Sequence, residues 1–154
     1  MIQRLQTVYL LIVAVLFIAL MFLPLAVLQH GNNLYSFDVM GLNTVSQPEL
    51  VYPTLPLMAI GAIIAMLPLV TIFMYKKRLL QIRMCVFNAL LIIGFCSLFG
   101  YYLWQFSKSA DFPNMNINIR LWASFPIIAL IFDYLAIRNI GADEALIRSL
   151  ERLR

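Results

Sequence analysis

Four long apolar stretches constrain this chain more than any other feature of its sequence. They cover about residues 7–28, 55–75, 84–106 and 119–137; the first three are uncharged, and the fourth contains only Arg120 and Asp133. Each has about the 20 residues that an α-helix needs to cross the roughly 30 Å hydrocarbon core of a bilayer. The sequence therefore predicts an all-α membrane protein, in which residues 1–154 form a single domain built as an antiparallel bundle of four transmembrane helices.

The composition favours the same class and argues against binding to nucleic acid. Hydrophobic residues make up 63% of the chain and charged residues 12%, whereas soluble domains contain about 45–50% and about 25%. The net charge is +4, but the basic residues flank the apolar stretches, where anionic lipid headgroups and the positive-inside rule account for them. We therefore expect membrane lipids, and no nucleic acid, as partners.

The distribution of lysine and arginine predicts the orientation of the helices. Short loops on the cytoplasmic side of a membrane carry an excess of these residues. One side of the threaded chain has only Lys108 and Arg120. The other has nine basic residues: Arg4, Lys76, Lys77, Arg78, Arg83, Arg138, Arg148, Arg152 and Arg154. This basic side is predicted to be cytoplasmic, and an even number of spans places both termini there.

The two segments on the opposite side, residues 29–54 and 107–118, each contain a short alternation of apolar and polar residues. Tyr35–Val39 and Met115–Ile119 have the two-residue period of a β-strand. We expect them to pair as a small extracytoplasmic cap resembling a β-hairpin. The alternative is that both are extended loops lying along the headgroups.

Asp133 is the one acidic residue inside the apolar stretches, and ionisable residues are costly in a membrane and often functional. It could pair with Arg138 or Arg83 near the inner interface. Antiparallel threading also places other polar residues at a similar depth: Asn88, Thr71, Thr7 and Gln6. A polar cluster of this kind is expected either to tie the helices together by hydrogen bonds or to form a ligand or proton site.

Small residues four positions apart permit close contact between helices in a membrane. Gly61 and Ala65 have this spacing in the second stretch, and Cys96 and Gly100 have it in the third. The pattern predicts helix packing, either inside the bundle or between copies in a homo-oligomer.

Residues 142–154 are predicted to form a separate, short amphipathic helix in the cytoplasm, following a stop at Arg138 and Gly141. Leu146, Leu150 and Leu153 recur at helical spacing, while the charged residues point elsewhere. This helix is expected to lie on the inner leaflet with its arginines near lipid phosphates, or to dock on a protein partner.

No catalytic, cofactor-binding or metal-binding site is predicted. Cys85 and Cys96 are eleven positions apart, about 16 Å along a helix, which is too far for a disulfide. His30 is the sole histidine, and no known nucleophile or phosphate-binding motif is present. We therefore expect no enzymatic activity; an enzyme acting on a lipid or quinone would need the cap and His30 to organise a site.

The two ends of the chain resemble a known family. The head, residues 1–11 (MIQRLQTVYLL), and the tail, residues 143–149 (DEALIRS) with the closing residues 152–154 (RLR), are similar to the family called domain of unknown function 4293. The resemblance implies a four-span protein of the inner membrane of Bacteroidetes-type bacteria, and it implies no activity. Gly141 and Ala142 depart from the family pattern, in which basic residues are expected before the tail.

These observations lead to two functional hypotheses. The first is a non-enzymatic structural, assembly or partner-binding subunit, whose head and tail form one docking surface on the cytoplasmic side. The residues expected in this surface are Arg4, Glu144, Arg148, Arg152 and Arg154, together with Gln3, Gln6 and Glu151. The alternative is a small transporter or channel subunit that uses the polar cluster of Asp133, Asn88, Thr71 and Thr7.

Overall fold

The computed structural model describes residues 3–30, 33–45, 50–74, 77–108 and 116–151, apart from the side chains of residues 3–4, 30, 50–51 and 147–151. Within these ranges the chain forms four α-helices: α1 (Gln3–Leu20), α2 (Leu55–Phe73), α3 (Arg78–Lys108) and α4 (Phe125–Glu151). A 3-10 turn, Leu121–Ser124, precedes α4. Five strands complete the fold: β1 (Ala26–His30), β2 (Asn33–Phe37), β3 (Gly41–Thr44), β4 (Leu50–Pro53) and β5 (Asn116–Ile119). The protein is therefore mostly helical with a small sheet, as predicted.

The helices form a ring in which each contacts two neighbours: α1 packs on α2 and α4, and α3 packs on α2 and α4. The strands lie at one end of this bundle, called here the sheet end. The opposite end, called the turn end, contains the start of α1, the connection between α2 and α3, and the end of α4. The helices therefore join two separate ends of the molecule, the sheet end and the turn end.

Three helical segments in the described part of the chain are long and apolar enough to cross a membrane: Leu55–Phe73, Arg78–Lys108 and Leu121–Leu146. The described apolar segment of α1, Leu5–Leu20, is shorter. α3 and α4 contain 31 and 27 residues and are about 46 and 40 Å long at 1.5 Å per residue. Both exceed the roughly 30 Å hydrocarbon thickness of a bilayer, so each has length to extend beyond it.

The prediction of one helix over residues 7–28 is wrong, because α1 ends at Leu20 and Ala26–His30 forms strand β1. Pro24 has no backbone N–H to continue a helix. The N–H of Leu25 instead donates to the carbonyl of Phe37, at 2.9 Å. Ala26 and Leu28 are fully buried, so this apolar sequence is used for a buried strand rather than for the last turns of a span.

The sheet is larger than the predicted hairpin and has the order β4-β3-β2-β1-β5, with every neighbouring pair antiparallel. The two predicted strands exist as β2 and β5, but they do not pair with each other because β1 lies between them. Strands β3 and β4 were not predicted. Gly41 begins β3 at a close approach to the carbonyl of Tyr52 on β4, where a Cβ atom would clash.

Aromatic packing joins the sheet to the helices. The ring of Phe37 on β2 is fully buried and stacks on Phe99 of α3 at 5.7 Å between centroids. It also meets Phe106 edge-on at 5.4 Å. The outer turns of α3 therefore form the platform on which the sheet is fixed, which explains why α3 is the longest helix described.

Gly61 on α2 lies at a close contact inside the bundle. A Cβ atom there would lie 2.7 Å from the Met21 side chain and 3.4 Å from the ring of Phe95. Gly100 differs, since no described atom would lie within 4 Å of its Cβ. The small residues of α2 thus serve packing within the bundle, whereas Gly100 on α3 faces outward.

The predicted end of the fourth helix near residue 137 and the separate tail helix over residues 142–154 are also wrong. α4 continues without interruption through Gly141 to Glu151. Glycine in a helix interior costs only about 1 kcal/mol relative to alanine. Ile140, fully buried, and Asp143, 8% exposed, flank Gly141, and their contacts with the bundle outweigh that cost.

Candidate functional site

Two buried carboxyl groups on α4 connect this helix to its two neighbours, α3 and α1. Asp133 is fully buried and Asp143 is 8% exposed. Ionisable side chains are almost never this deeply buried without a partner. Each of them has an uncharged amide partner on another helix, so the two contacts define the candidate site.

The first contact, called here the central pair, joins α3 to α4. The amide Nδ2 of Asn88 donates to Oδ2 of Asp133 at 3.3 Å, and Asn88 is also buried. The remaining oxygens, Oδ1 of Asn88 and Oδ1 of Asp133, are buried and have no hydrogen-bond partner among the described residues. Two acceptors without a donor are costly in an apolar interior. The central pair therefore has room, chemically, for one further donor or a positive charge.

The surroundings of the central pair are otherwise apolar. On its turn-end side, Cys85, Ala136 and Ile140 form a small buried cluster with Leu10. Arg83 and Arg138, which the sequence offered as partners for Asp133, are both exposed. Within the described part of the chain, no basic side chain pairs with the Asp133 carboxyl, and Asn88 supplies its one hydrogen bond.

Two further residues predicted for the polar cluster, Thr71 and Thr7, lie away from the central pair. Thr71 is buried on α2, and its hydroxyl donates to the carbonyl of Leu67 in the same helix, at 2.7 Å. Thr7 is exposed on α1. Of the predicted cluster, the structure thus brings Asp133 and Asn88 together.

The second contact, called the end pair, joins α1 to α4. Nε2 of Gln6 donates to Oδ2 of Asp143 at 2.7 Å, and both side chains are buried. Asp143 lies ten residues after Asp133, about 15 Å further toward the turn end along the helix. The end pair therefore fixes the head of the chain against its tail, close to the turn-end surface.

Asp143 was missed as a buried residue, because its place after Gly141 predicted the solvated first turn of a separate helix. A signal was present in the sequence. Ala129, Asp133, Ala136, Ile140 and Asp143 follow spacings of four, three, four and three residues, the pattern of one buried helix face. Had α4 been continued through Gly141, this pattern would have placed Asp143 on the buried face.

α4 projects beyond the bundle at the turn end. The helix continues for eight residues after Asp143, about 12 Å, whereas α1 continues for only three residues beyond Gln6. Leu146 on this projecting segment is 57% exposed. Of the residues predicted for the docking surface, Glu144 is half-buried. Arg4 lies in α1 and Arg148 lies in α4, but the structure does not describe their side chains. Arg152 and Arg154 fall outside the described residues.

The remaining candidate groups for chemistry do not assemble. Cys85 is buried and Cys96 is half-buried, and both are free thiols. In the portion of the chain that was described, no three His, Cys, Asp or Glu side chains converge as metal ligands would. His30 lies in β1 opposite Asn33, and its side chain is outside the description.

Comparison with protein families gives a match over nearly the whole chain. A family model described as Domain of unknown function (DUF4293) matches residues 2–153. No curated protein and no solved structure matches the chain.

Proposed function

The chain belongs to the family described as domain of unknown function DUF4293, as its two ends predicted, and we propose that it is a non-enzymatic, single-domain subunit of the bacterial inner membrane. In this proposal all four helices cross the bilayer, with the turn end and both termini in the cytoplasm. The turn end presents a surface, formed by the head and the tail, that binds a protein partner or a second copy of the chain.

The exposed residues of the helices support the membrane crossing. Even the shortest helix, α1, shows a continuous apolar stripe on its outer side, with Val8, Leu11 and Val15 each about half exposed. Soluble monomers rarely expose apolar patches of this extent, because water solvates them poorly. Lipid chains would cover the stripe. The excess of arginine and lysine at the turn end supports a cytoplasmic position for that end.

The projecting end of α4 is the observation that carries the partner-binding role. The helix extends about 12 Å beyond Asp143, further than α1 extends beyond Gln6. Its base is held in place, because the end pair ties Asp143 to α1. An amphipathic helix end next to the head of the chain is suited to binding in a groove of a partner.

The test removes the projection and keeps the end pair. A chain stopped after Ala145 retains Asp143 and loses the last two turns of α4. We expect it to insert normally and to lose the partner or the oligomer that co-purifies with the full chain in mild detergent. Arg148→Glu should weaken the same association. Lys108→Glu, an equal charge reversal at the sheet end, is the matched control and should change nothing. Identical partners and oligomer size in the shortened chain would contradict the proposal.

Orientation has its own test. Reporter fusions after Arg154 and in the connection between α2 and α3 should report the cytoplasm, and an insertion after Met40 should report the opposite compartment. Opposite results for the two turn-end positions would remove the shared surface on which the proposal depends.

A second candidate function, a small transporter or channel subunit, is favoured by the central pair. Two of its buried oxygens have no hydrogen-bond donor among the described residues, and they lie inside a helical bundle, where polar side chains often mark ion routes. In liposomes containing the purified protein, a proton or cation flux should fall in Asp133→Asn and persist in Thr7→Val, which changes an exposed residue. Flux that is absent, or equal in all three proteins, would leave the central pair as a purely structural contact between α3 and α4.

A further inference from the structure

A groove between α3 and α4 opens at the sheet end and runs along the outside of the bundle. The upper part, nearest the sheet end, has a volume of about 480 Å³ and is lined by Arg120 and Ser124 among other residues. The lower part, nearer the middle of the bundle, has a volume of about 340 Å³ and is lined by Ile92 and Leu130 among others. Both parts share Cys96 and Ile127, so they form one continuous groove, called here the α3–α4 groove.

Polarity changes along this groove in one direction. Arg120 is exposed at the upper end, and no ion pair or hydrogen bond of its guanidinium is found within the described residues. The two hydroxyls lining the groove are already used, since Ser124 donates to the carbonyl of Leu121 and Ser97 donates to that of Ile93. Below Arg120 the groove therefore presents an essentially apolar wall.

We propose that the α3–α4 groove binds an anionic phospholipid of the leaflet at the sheet end, with its phosphate at Arg120 and an acyl chain along Ile127 and Leu130. The inference rests on the proposed crossing of the membrane by α3 and α4, and it adds a ligand at the end opposite to the partner-binding surface. Arginine pairs with phosphate through two parallel N–H donors. A cation at the sheet end of an apolar groove is complementary to a lipid whose anionic headgroup lies at the membrane surface and whose acyl chain runs toward the bilayer centre.

The charges at the sheet end argue against a second copy of the chain as the occupant. A two-fold dimer across this groove would bring the two Arg120 residues onto facing surfaces at the same height, where like charges repel. The acidic side chain described at this end, Asp38, already accepts hydrogen bonds from Ser36 and Asn43. An anionic lipid neutralises the charge of Arg120, and it requires neither two facing arginines nor an acidic side chain free to pair with Arg120.

Trp122 provides the probe, because it lies beside the groove residues Leu121 and Ala123 and is 37% exposed. In a Trp104→Phe background it is the only tryptophan. The protein is reconstituted into vesicles that contain either brominated phosphatidylglycerol or brominated phosphatidylcholine within an unbrominated bilayer. Quenching of Trp122 should show about a fivefold preference for the anionic lipid, the size expected for one basic residue near a charged lipid surface.

Arg120→Gln should abolish this preference while leaving the quenching by phosphatidylcholine in place. Lys108→Gln, which removes the other basic residue of this face, should retain it. Equal quenching by both lipids in the parent protein, or a preference that survives Arg120→Gln or disappears equally in Lys108→Gln, would overturn the proposal. Loss of the preference on adding soluble glycerol phosphate would assign the site to free phosphate, and failure of every brominated lipid to quench Trp122 would show that a protein covers the groove. Either result would also overturn it.

Discussion

Replacing Phe37 with alanine should detach the sheet from the helices without unfolding the helices themselves. The ring is fully buried at the sheet end and contacts Phe99, Tyr102 and Phe106 of α3, at centroid distances of 5.7, 6.4 and 5.4 Å. Phe→Ala substitutions at buried sites cost about 3–5 kcal/mol, and aromatic pairs with favourable geometry contribute beyond their buried area. We therefore expect a loss of about 4 kcal/mol from the free energy that holds the sheet closed.

Hydrogen exchange of backbone amides in detergent micelles measures this loss locally, since exchange follows the free energy of opening. A loss of about 4 kcal/mol accelerates exchange by about three orders of magnitude, or removes protection in β1, β2 and β3 altogether. Amides in the middle of α3 should keep their protection. The control is Tyr52→Ala, which removes a 42% exposed ring whose centroid lies 5.7 Å from that of Phe106 and should accelerate exchange less than about tenfold.

The reasoning would be refuted in two ways. If Phe37→Ala accelerated exchange in the sheet by less than about tenfold, the aromatic contacts would not be what fixes the sheet. If exchange in the middle of α3 rose equally, the sheet and the bundle would open as one cooperative unit, and the sheet could not be treated as a separate cap.

Three further predictions concern the bundle, and each is measured as the free energy of unfolding in mild detergent. Gln6→Leu and Asp143→Leu should each destabilise the protein by about 1–3 kcal/mol, because either change alone leaves a buried polar partner without its hydrogen bond. The double variant should therefore lose less than the sum of the two single losses. Strictly additive losses would contradict the end pair. Asn88→Leu should destabilise the protein by about 1–3 kcal/mol. Asp133→Asn should be near neutral, because this change keeps the amide partner Asn88 and removes a buried acid. A larger loss for Asp133→Asn than for Asn88→Leu would argue against this account. Gly61→Ala should cost less than about 1 kcal/mol, since the nearest atom is the flexible end of a methionine. Gly61→Leu should cost about 1–3 kcal/mol, because the larger side chain overpacks the site. Equal effects of the two changes would show that the site has spare room.

The sequence was sufficient to predict a mostly helical chain because its apolar stretches are far longer than any strand. Length separates a helix from a strand when both are apolar. The same criterion failed for the first stretch, in which an 18-residue helix is followed by strand β1. Hydrophobicity continues from Phe17 to Leu28, and it does not reveal that Ala26 and Leu28 are buried under a sheet instead of facing lipid.

The central pair could be expected from depth alone, whereas the end pair could not. Threading alternate helices in opposite directions places Asn88 and Asp133 at similar heights without any knowledge of rotation. Predicting the contact between Gln6 and Asp143 requires that α4 continue through Gly141. A glycine next to charged residues usually marks the end of a helix, and here tertiary contacts outweighed that local signal.

The two acidic residues of α4 also match the order of the helices around the bundle. Ten residues separate Asp133 from Asp143, and at about 100° per residue their side chains project about 80° apart. Ala136 lies between those two directions, and it is fully buried. One flank of the buried face thus carries the carboxyl that contacts α3, and the other flank carries the carboxyl that contacts α1. In a ring of four helices the two neighbours of any helix lie at roughly a right angle, so the spacing between these two acids matches the positions of α3 and α1 on either side of α4. Moving the acid from position 143 to 144 would rotate it by about 100°, and it could then no longer reach Gln6.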